Sequence, residues 1–192
     1  MKYWVMTLAA LALAVPVHAA ELGDDGLHKT PWMRDTFKDL REDLGEANAE
    51  GKRLVLFFEQ RGCIYCTKMH KDVFPDPNLT RLIEETYFVV QLNLHGDVEV
   101  TDFDGEALSE KDMARKWNVL FTPTILFLPE EVPEGMTAIR SAVAVMPGAF
   151  ELGTVTDMFT WVAEKRYALD GDEDFQRYHA RRIEERRAAA GD

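Results

Sequence analysis

The sequence contains only two cysteines, Cys63 and Cys66, which stand three positions apart. With no other cysteine, the chain cannot build the framework of several disulfides that staples small secreted domains. A bridge between these two residues closes so short a loop that it gains only about 2 kcal/mol in the chain-entropy model. A domain of this size does not need such a staple. The pair is therefore expected to serve redox chemistry rather than stability.

Basic residues are also scarce, since 22 Lys and Arg face 34 Asp and Glu and leave a net charge of -12. A surface that binds nucleic acid needs positive charge to neutralise phosphates, so the composition argues against a nucleic-acid partner. After residue 20 no apolar run is long enough to span a bilayer. The length of 192 residues and the 46% hydrophobic content predict one domain with extensions and a sizeable core.

The first twenty residues form a different kind of segment. Lys2 supplies a short positive start, residues 5–15 are an apolar run, and Pro16 ends that run before the small residue Ala19. This pattern is typical of a secretory signal peptide. We predict a signal peptide over residues 1–19, with an uncleaved anchor helix as the alternative. The mature protein is then expected in the periplasm.

A strand, a turn and a helix surround the cysteine pair. Residues 52–60 are rich in strand formers, Gly62 follows as a turn residue, and residues 63–74 have helical spacing of apolar positions. Cys63 would lie at the helix N-terminus, where free backbone N–H groups and the helix dipole stabilise a thiolate. Cys66 lies one turn further on and would be the shielded, resolving thiol. The pattern predicts thiol–disulfide exchange at Cys63 and Cys66 without a further cofactor.

The rest of the chain alternates between the two kinds of secondary structure. We predict helices over residues 31–49, 76–85, 111–118 and 152–169, and strands over residues 87–94, 124–128 and 138–146. The inner face of the first helix is expected to carry Phe37, Leu40 and Leu44. This order predicts a small α/β sandwich. Residues 171–192 are a charged tail that is either helical or disordered.

An N-terminal helix, a strand leading into a CxxC helix and the run Thr122-Pro123-Thr124 before a later strand resemble the thioredoxin superfamily. The resemblance implies a thioredoxin fold over residues 20–170, with a central mixed sheet of about four to five strands flanked by helices. It also implies a cis peptide bond at Pro123, which would face the CxxC, and a substrate backbone held at Thr122 and Pro123. An ordinary proline at a strand start is the alternative.

Within the superfamily the sequence is similar to exported thioredoxins of bacterial sulfur-oxidation systems, the SoxW type. The residues that carry this similarity are 58–63, 95–106, 114–117 and 121–124. It implies a reductase that receives electrons from a membrane thiol transporter and passes them to oxidised cysteines of periplasmic partners. Reductases, oxidases and isomerases all use a CxxC, and only this similarity favours the first. We expect the protein to be a monomer.

Four positions depart from the pattern of cytosolic thioredoxins. Gly62 stands where they have tryptophan, and Ile64 and Tyr65 replace their Gly-Pro pair. Their buried aspartate would fall at Phe57, which removes the usual proton acceptor for the resolving thiol. Glu59 is the nearest carboxylate in sequence and is a candidate for proton transfer; the alternative is a solvated or structurally paired carboxylate.

Two hypotheses from other classes stay open. The thiols of Cys63 and Cys66 together with His70 could bind copper or zinc, which would make the chain a periplasmic metal-delivery protein. The fold could also serve as a non-catalytic adaptor. We predict no metal at the site, because no further cluster of cysteine and histidine completes a tetrahedral set.

Two smaller features complete the sequence prediction. The acidic residues 95–110 lack the spacing of an EF-hand, so a solvated insertion is preferred over a calcium loop. Tyr65 and Trp117 are expected to pack rather than to take part in catalysis.

Overall fold

The computed structural model describes residues 20–169 and 173–191. The predicted signal peptide, residues 1–19, lies outside this part of the chain, as do residue 170 and, in the charged tail, residues 171, 172 and 192. The strands are β1 (Glu21–Leu22), β2 (His28–Lys29), β3 (Met33–Arg34), β4 (Arg53–Glu59), β5 (Tyr87–Asn93), β6 (Glu99–Thr101), β7 (Ala107–Ser109), β8 (Thr124–Phe127) and β9 (Ala144–Pro147). The helices are α1 (Leu40–Ala49), α2 (Ile64–Asp72), α3 (Pro77–Thr86), α4 (Glu110–Lys116), α5 (Ala138–Ser141), α6 (Leu152–Ala163) and α7 (Phe175–Ala190).

A five-stranded mixed sheet forms the centre of the domain, in the order β3-β5-β4-β8-β9. β3, β4 and β5 run parallel, whereas β8 and β9 are antiparallel to their neighbours. Helices flank this sheet, which confirms the predicted α/β class and the mixed sheet. Two small antiparallel pairs, β1 with β2 and β6 with β7, lie outside it.

The central strand β4 is buried on both faces, which explains its uninterrupted apolar sequence. Leu54, Leu56 and Phe58 point into a core that also holds buried residues of α1 and α4. Val55 and Phe57 point to the opposite core, which is shared with α2, α3 and α6. The carboxyl end of this strand delivers the chain to the cysteine pair.

The helix predicted over residues 31–49 begins only at Leu40, so the prediction is wrong in its first part. Asp39 caps α1, because its side chain accepts hydrogen bonds from the first backbone N–H groups of the helix. The residue before it, Lys38, has a positive φ of 59°, which no helix accommodates. Phe37, expected on the inner face, is 95% exposed. Leu40 and Leu44 are buried as predicted.

Two further boundaries differ from the sequence prediction. The strand predicted over residues 138–146 starts with the helical turn α5, whose Ala138 N–H donates to the buried carboxylate of Asp102 at 2.8 Å. Only its last three residues belong to the strand β9. The helix predicted over residues 152–169 ends at Ala163, and a short 3-10 turn, Arg166–Ala168, follows. Lys165, with a φ of 53°, separates the two.

The charged C-terminal segment is helical from Phe175 to Ala190 and docks on α6. Tyr178 is only 2% exposed. The fully buried carboxylate of Asp157 on α6 accepts two hydrogen bonds from Arg186, at 2.8 and 2.9 Å. Among the residues described, no helix combines the length and the apolar character needed to cross a membrane.

Candidate active site

Cys63 lies at the junction between β4 and α2. Gly62 turns the chain with a φ of 73°, a conformation that favours glycine. Cys63 is the N-cap residue of α2, and its Sγ accepts a hydrogen bond from the backbone N–H of Cys66 at 3.0 Å. The free N–H groups and the dipole of this helix end stabilise negative charge, so a thiolate at Cys63 would be favoured here.

Cys63 and Cys66 form a disulfide, and their Cα atoms are 5.2 Å apart. Cys63 retains 5% of its surface, whereas Cys66 is completely buried. Of the two residues, only Cys63 retains any surface from which a partner sulfur could approach. This asymmetry is what a nucleophilic thiol and a resolving thiol require.

The loop before β8 faces the disulfide. The peptide bond between Thr122 and Pro123 is cis, the isomer that the resemblance implies. The hydroxyl of Thr122 donates a hydrogen bond to Cys63 Sγ at 3.2 Å, and its carbonyl oxygen lies 3.6 Å from the same sulfur. Thr124 pairs with Phe58 of β4 and thereby fixes the loop relative to the motif.

Four large apolar side chains flank these residues in the chain and are exposed to solvent. Ile64 and Tyr65, between the cysteines, are 73% and 60% exposed, and Leu120 and Phe121, before Thr122, are 69% and 52% exposed. They give the surface around the site an apolar character. The prediction that Tyr65 is a packing residue is therefore wrong.

Trp117, the other predicted packing residue, is buried and lies against Phe58 with an edge-to-face ring contact. Its indole N–H donates to Asp102 at 2.7 Å. Trp117 therefore packs as predicted.

Phe57 occupies the position of the missing aspartate and is buried opposite Ile125 of β8. Two residues later on the same face of β4, the side chain of Glu59 is also completely buried. Strand alternation puts both residues under α2, the helix that carries Cys66. The structure thus places a buried carboxylate beneath the CxxC helix, two residues further along the strand than the aspartate of cytosolic thioredoxins.

Glu59 is held by three polar side chains. Its Oε1 is shared by His28 Nδ1 at 3.1 Å and His70 Nε2 at 3.0 Å, and its Oε2 accepts a hydrogen bond from the amide of Gln91. The two imidazole rings stack with centroids 4.3 Å apart. A carboxylate with this set of partners is fully satisfied in the core, so its burial is tolerated.

His28 has a perturbed acidity. Burial lowers its pKa below the usual range, and the neighbouring ring of His70 lowers it further, which outweighs the opposing effect of Glu59. The neutral imidazole therefore predominates at neutral pH.

His70 does not join the cysteines as a ligand. Among the residues described, one group of three His, Cys, Asp or Glu ligand atoms within 4.8 Å of one another is found, and it consists of His28, Glu59 and His70. In this structure Cys63, Cys66 and His70 do not form such a ligand group, because the two sulfurs are bonded to each other and His70 Nε2 lies 3.0 Å from the carboxylate of Glu59.

Sequence reasoning missed His28 and Gln91. His28 lies on the short strand β2, and Gln91 interrupts the otherwise apolar β5, where it is only 8% exposed. A glutamine inside a run of Val and Leu was a usable signal of a buried polar partner. Nothing in the sequence around His28 indicated that it would reach a carboxylate 31 positions away.

The acidic insertion is built around a lysine. The ammonium group of Lys116 lies 2.9 Å from Asp102, 2.8 Å from Asp104 and 3.0 Å from Glu106. These carboxylates raise the pKa of Lys116 despite the opposing effect of its partial burial. A cation of the protein itself thus lies among these carboxylates, where the alternative of a calcium loop would have placed the ion.

Comparisons with known proteins agree with this architecture. Residues 40–140 match the family described as a thioredoxin-like domain. A thioredoxin-fold protein from Helicobacter pylori is similar in structure, with a TM-score of 0.56 and 19% identity over 72% of this chain and 86% of the other. A thioredoxin from Thermus thermophilus has a TM-score of 0.51 and 24% identity over 66% and 85% of the two chains. Among curated proteins no sequence matches.

The five-stranded mixed sheet, the CxxC at a helix start and the cis proline opposite it define a thioredoxin fold. The family match covers more than half of the chain, so the chain belongs to the thioredoxin-like domain family. A CxxC pair on this fold supports thiol–disulfide oxidoreductase activity in general terms.

Proposed function

We propose that the protein is a periplasmic thiol–disulfide oxidoreductase that works as a reductase. The observation that carries the proposal is the asymmetric pair: Cys63 retains surface at the start of α2, and Cys66 is completely buried one turn later. A structural bridge needs no such difference, whereas thiol exchange does.

The proposed reaction begins with the reduced protein. The thiolate of Cys63 attacks one sulfur of a partner disulfide, a bond forms between the two sulfurs, and the other partner sulfur leaves as a thiolate. Cys66 then loses its proton to Glu59 and attacks Cys63 Sγ. The mixed disulfide breaks, the partner leaves with both cysteines reduced, and the bond between Cys63 and Cys66 re-forms. No cofactor beyond this disulfide is needed.

Thr122 and Pro123 are proposed to hold the partner. The loop lies against the sulfur of Cys63, so a partner cysteine that reaches this sulfur must pass along the loop. The exposed side chains of Ile64, Tyr65 and Phe121 favour a partner with apolar residues beside its cysteine, because contact removes apolar surface from water.

The place of action and the partners rest on the sequence. The pattern of residues 1–19 supports export, and the similarity to exported thioredoxins of sulfur-oxidation systems supports oxidised periplasmic proteins as substrates. A membrane thiol transporter is the proposed electron donor. Cell fractionation followed by N-terminal sequencing tests export: a chain in the periplasmic fraction that starts at Ala20 supports it, and a chain confined to the cytoplasmic fraction that starts at Met1 contradicts it.

Trapping in cells tests the exchange itself. In the Cys66→Ala variant the resolving thiol is missing, so mixed disulfides through Cys63 should accumulate and disappear on addition of a reductant. The matched control is the double variant that also carries Cys63→Ser, which should trap nothing. A non-catalytic adaptor would give the same result for both variants, and this outcome would refute the proposal.

The reduction potential decides the direction. A value near that of thioredoxin, about -270 mV, would support a reductase, and a value near that of a strong oxidant, about -120 mV, would contradict it. Equilibration with glutathione or dithiothreitol at pH 7 measures it.

A further inference from the structure

A buried polar cluster connects the N-terminal arm, here residues 20–34, to the CxxC helix. His28 of this arm lies outside residues 40–140, the part that matches the family. The arm is held by further contacts: Gln91 donates to the carbonyl oxygen of His28 at 2.8 Å and accepts from Lys29 at 2.7 Å. Arg61, two residues before Cys63, donates to two backbone carbonyl groups of the arm. The arm therefore has a defined position next to the redox motif.

His28 reaches the redox motif through a hydroxyl group. Its Nε2 lies 3.2 Å from Thr67 Oγ1, and the same Oγ1 lies 3.1 Å from the carbonyl oxygen of Cys63. A hydroxyl has one hydrogen to donate. When His28 is neutral, Thr67 can donate to its Nε2; when His28 is protonated, Nε2–H donates to Thr67, and the hydroxyl donates to Cys63. Protonation of His28 thus changes the hydrogen bonding of the Cys63 peptide.

Of the two histidines, His28 is the better carrier of a proton. Both ring nitrogens of His28 have partners, Glu59 and Thr67. His70 binds Glu59 through Nε2, but its buried Nδ1 has no hydrogen-bond partner among the residues that the structure describes. A second N–H on His70 would therefore be buried without an acceptor, which is costly. The added proton is expected on His28.

The same geometry disfavours a metal ion at His28, Glu59 and His70. A metal lies close to the plane of each imidazole that binds it, at about 2.0–2.1 Å from the nitrogen. Here the two rings are stacked, and their planes are inclined by only 17°. An ion at bonding distance from both nitrogens could therefore not lie in the planes of both rings. An ion would require one ring to leave the stack. The arrangement suits protons shared across hydrogen bonds.

We propose that His28 is a positioning residue of the redox site, which takes up a proton when Cys63 and Cys66 are reduced and releases it when they are oxidised. The inference rests on the proposed function, since it assigns a proton site to that exchange. When Cys63 enters the mixed disulfide its negative charge is lost, and His28 releases its proton to solvent. In the resolving step the proton of Cys66 passes to Glu59 and from there to solvent, while its sulfur bonds to Cys63 and the partner sulfur leaves with the electron pair. Cys66 and His70 lie four residues apart on one helix face, so the cluster is one turn away.

The charges around His28 set the direction of the coupling. Glu59 on β4 favours its protonated form, whereas His70 and Lys71 on α2 disfavour it. Lys29 on β2 is bound to Gln91 and faces the same cluster. Reduction adds the thiolate of Cys63, which raises the pKa of His28. Because linkage is reciprocal, protonated His28 must in turn favour the reduced state.

NMR titration of the histidine ring protons, in the oxidised and in the reduced protein, tests the proposal. We expect the midpoint of His28 to rise by about one pH unit on reduction, which is the order of shift that a nearby unit charge produces in a protein. The exposed His95 serves as the internal control and should titrate at the same pH in both states. An unchanged midpoint of His28 would overturn the proposal.

Two variants separate proton coupling from structural support. His28→Asn retains a donor near the position of Nδ1 but cannot titrate, and Thr67→Val cuts the link to Cys63. In the wild type, the rate of Cys63 alkylation should show an additional step at the midpoint of His28, and both variants should lose it. His95→Asn, the matched control, should retain it. A step that persists in His28→Asn, with melting unchanged, contradicts the proposal.

The two levels of inference fail in different ways. If the wild type reduces disulfides but His28 titrates identically in both redox states, the positioning role is wrong and the function stands. If His28 responds to reduction but Cys66→Ala traps no partner, the proton coupling stands and the enzymatic function is wrong. In the oxidised protein the two sulfurs are bonded to each other and cannot bind a metal. If this form binds one zinc or copper ion per chain, the cluster is a metal site and the proposed proton site is wrong.

Discussion

The hydroxyl group of Thr122 donates a hydrogen bond to Sγ of Cys63 across 59 positions of the chain. The backbone N–H of Cys66 donates to the same sulfur at 3.0 Å. One of these donors belongs to the CxxC helix and the other to the loop with the cis proline. Both would act on the thiolate after reduction, because sulfur that carries a charge is the stronger acceptor.

Thr122→Val should make Cys63 less reactive. The substitution keeps the shape of the side chain but removes a hydrogen bond to a charged group, which contributes about 1.5–3 kcal/mol. The rate of Cys63 alkylation rises with pH as the thiolate forms. We expect the pH at which this rate reaches half of its maximum to increase by about one unit or more. Iodoacetamide modification of the reduced protein, followed by mass spectrometry, measures this. Thr160→Val, whose hydroxyl bonds within α6, should leave the midpoint unchanged.

Asp43→Asn should stabilise the protein above pH 6. Burial raises the pKa of Asp43 to about 6, although Thr36 lowers it by a hydrogen bond, and nearby acidic residues of α1 raise it further. The folded state therefore binds a proton that the unfolded state has lost between about pH 4 and pH 6, so stability falls as pH rises through this window. At pH 7.5 we expect a gain of about 1–2 kcal/mol in the free energy of unfolding.

Urea unfolding at pH 4 and pH 7.5 measures the effect of Asp43→Asn. The variant should be less sensitive to pH than the wild type, and the exposed Glu84→Gln should behave as the wild type does. Equal stability of Asp43→Asn and wild type at pH 7.5 would mean that the carboxylate is charged without cost.

Tyr178→Ala should loosen α7 and destabilise the domain. The ring is 2% exposed and lies under the guanidinium groups of Arg166 and Arg181. Loss of a large buried ring costs about 3 kcal/mol. Thermal unfolding measures the change, and the exposed Arg187→Ala on the same helix is the control. A Tyr178→Ala protein that melts as the wild type does would show that α7 adds nothing to the stability of the domain.

Acid should weaken the same docking. Burial alone would raise the pKa of Asp157, but hydrogen bonds from Arg186 and His179 outweigh it and lower the pKa. The group therefore stabilises the folded state above its unfolded pKa, and this contribution is lost as pH falls through the folded pKa. Replacement by Asn should cost stability at pH 7, and the difference from wild type should shrink in acid. A difference independent of pH would contradict the ionic role.

Lys116→Met should destabilise the insertion between β5 and α4. The carboxylate of Asp102 is fully buried, and removal of the ammonium group leaves it without its cation. Breaking a buried ion pair in this way costs about 3 kcal/mol. Chemical unfolding measures the loss, and Lys111→Met, which removes an exposed pair with Asp97, should have no measurable effect. If both variants unfold alike, the lysine is not the centre of this segment.

Local patterns were sufficient where a short stretch of chain decides the structure. The run of β4, the turn at Gly62 and the helical spacing after Cys63 predicted the strand, turn and helix around the CxxC. By contrast, the spacing of Phe37, Leu40 and Leu44 fits a helix, but the cap at Asp39 begins that helix after Phe37. Capping prevails there because it satisfies N–H groups that a longer helix would have to satisfy elsewhere.

The sequence by itself determined the α/β class and the position of the redox pair, because these depend on apolar periodicity and on residues close together in the chain. The mixed sheet was implied by the resemblance to the thioredoxin superfamily. The tertiary structure alone decided which side chains meet Glu59 beneath the CxxC helix. The meeting of His28, Glu59, His70 and Gln91 depends on how the arm, β4, α2 and β5 pack. Such contacts between distant positions follow from the burial of whole surfaces, which no local pattern encodes.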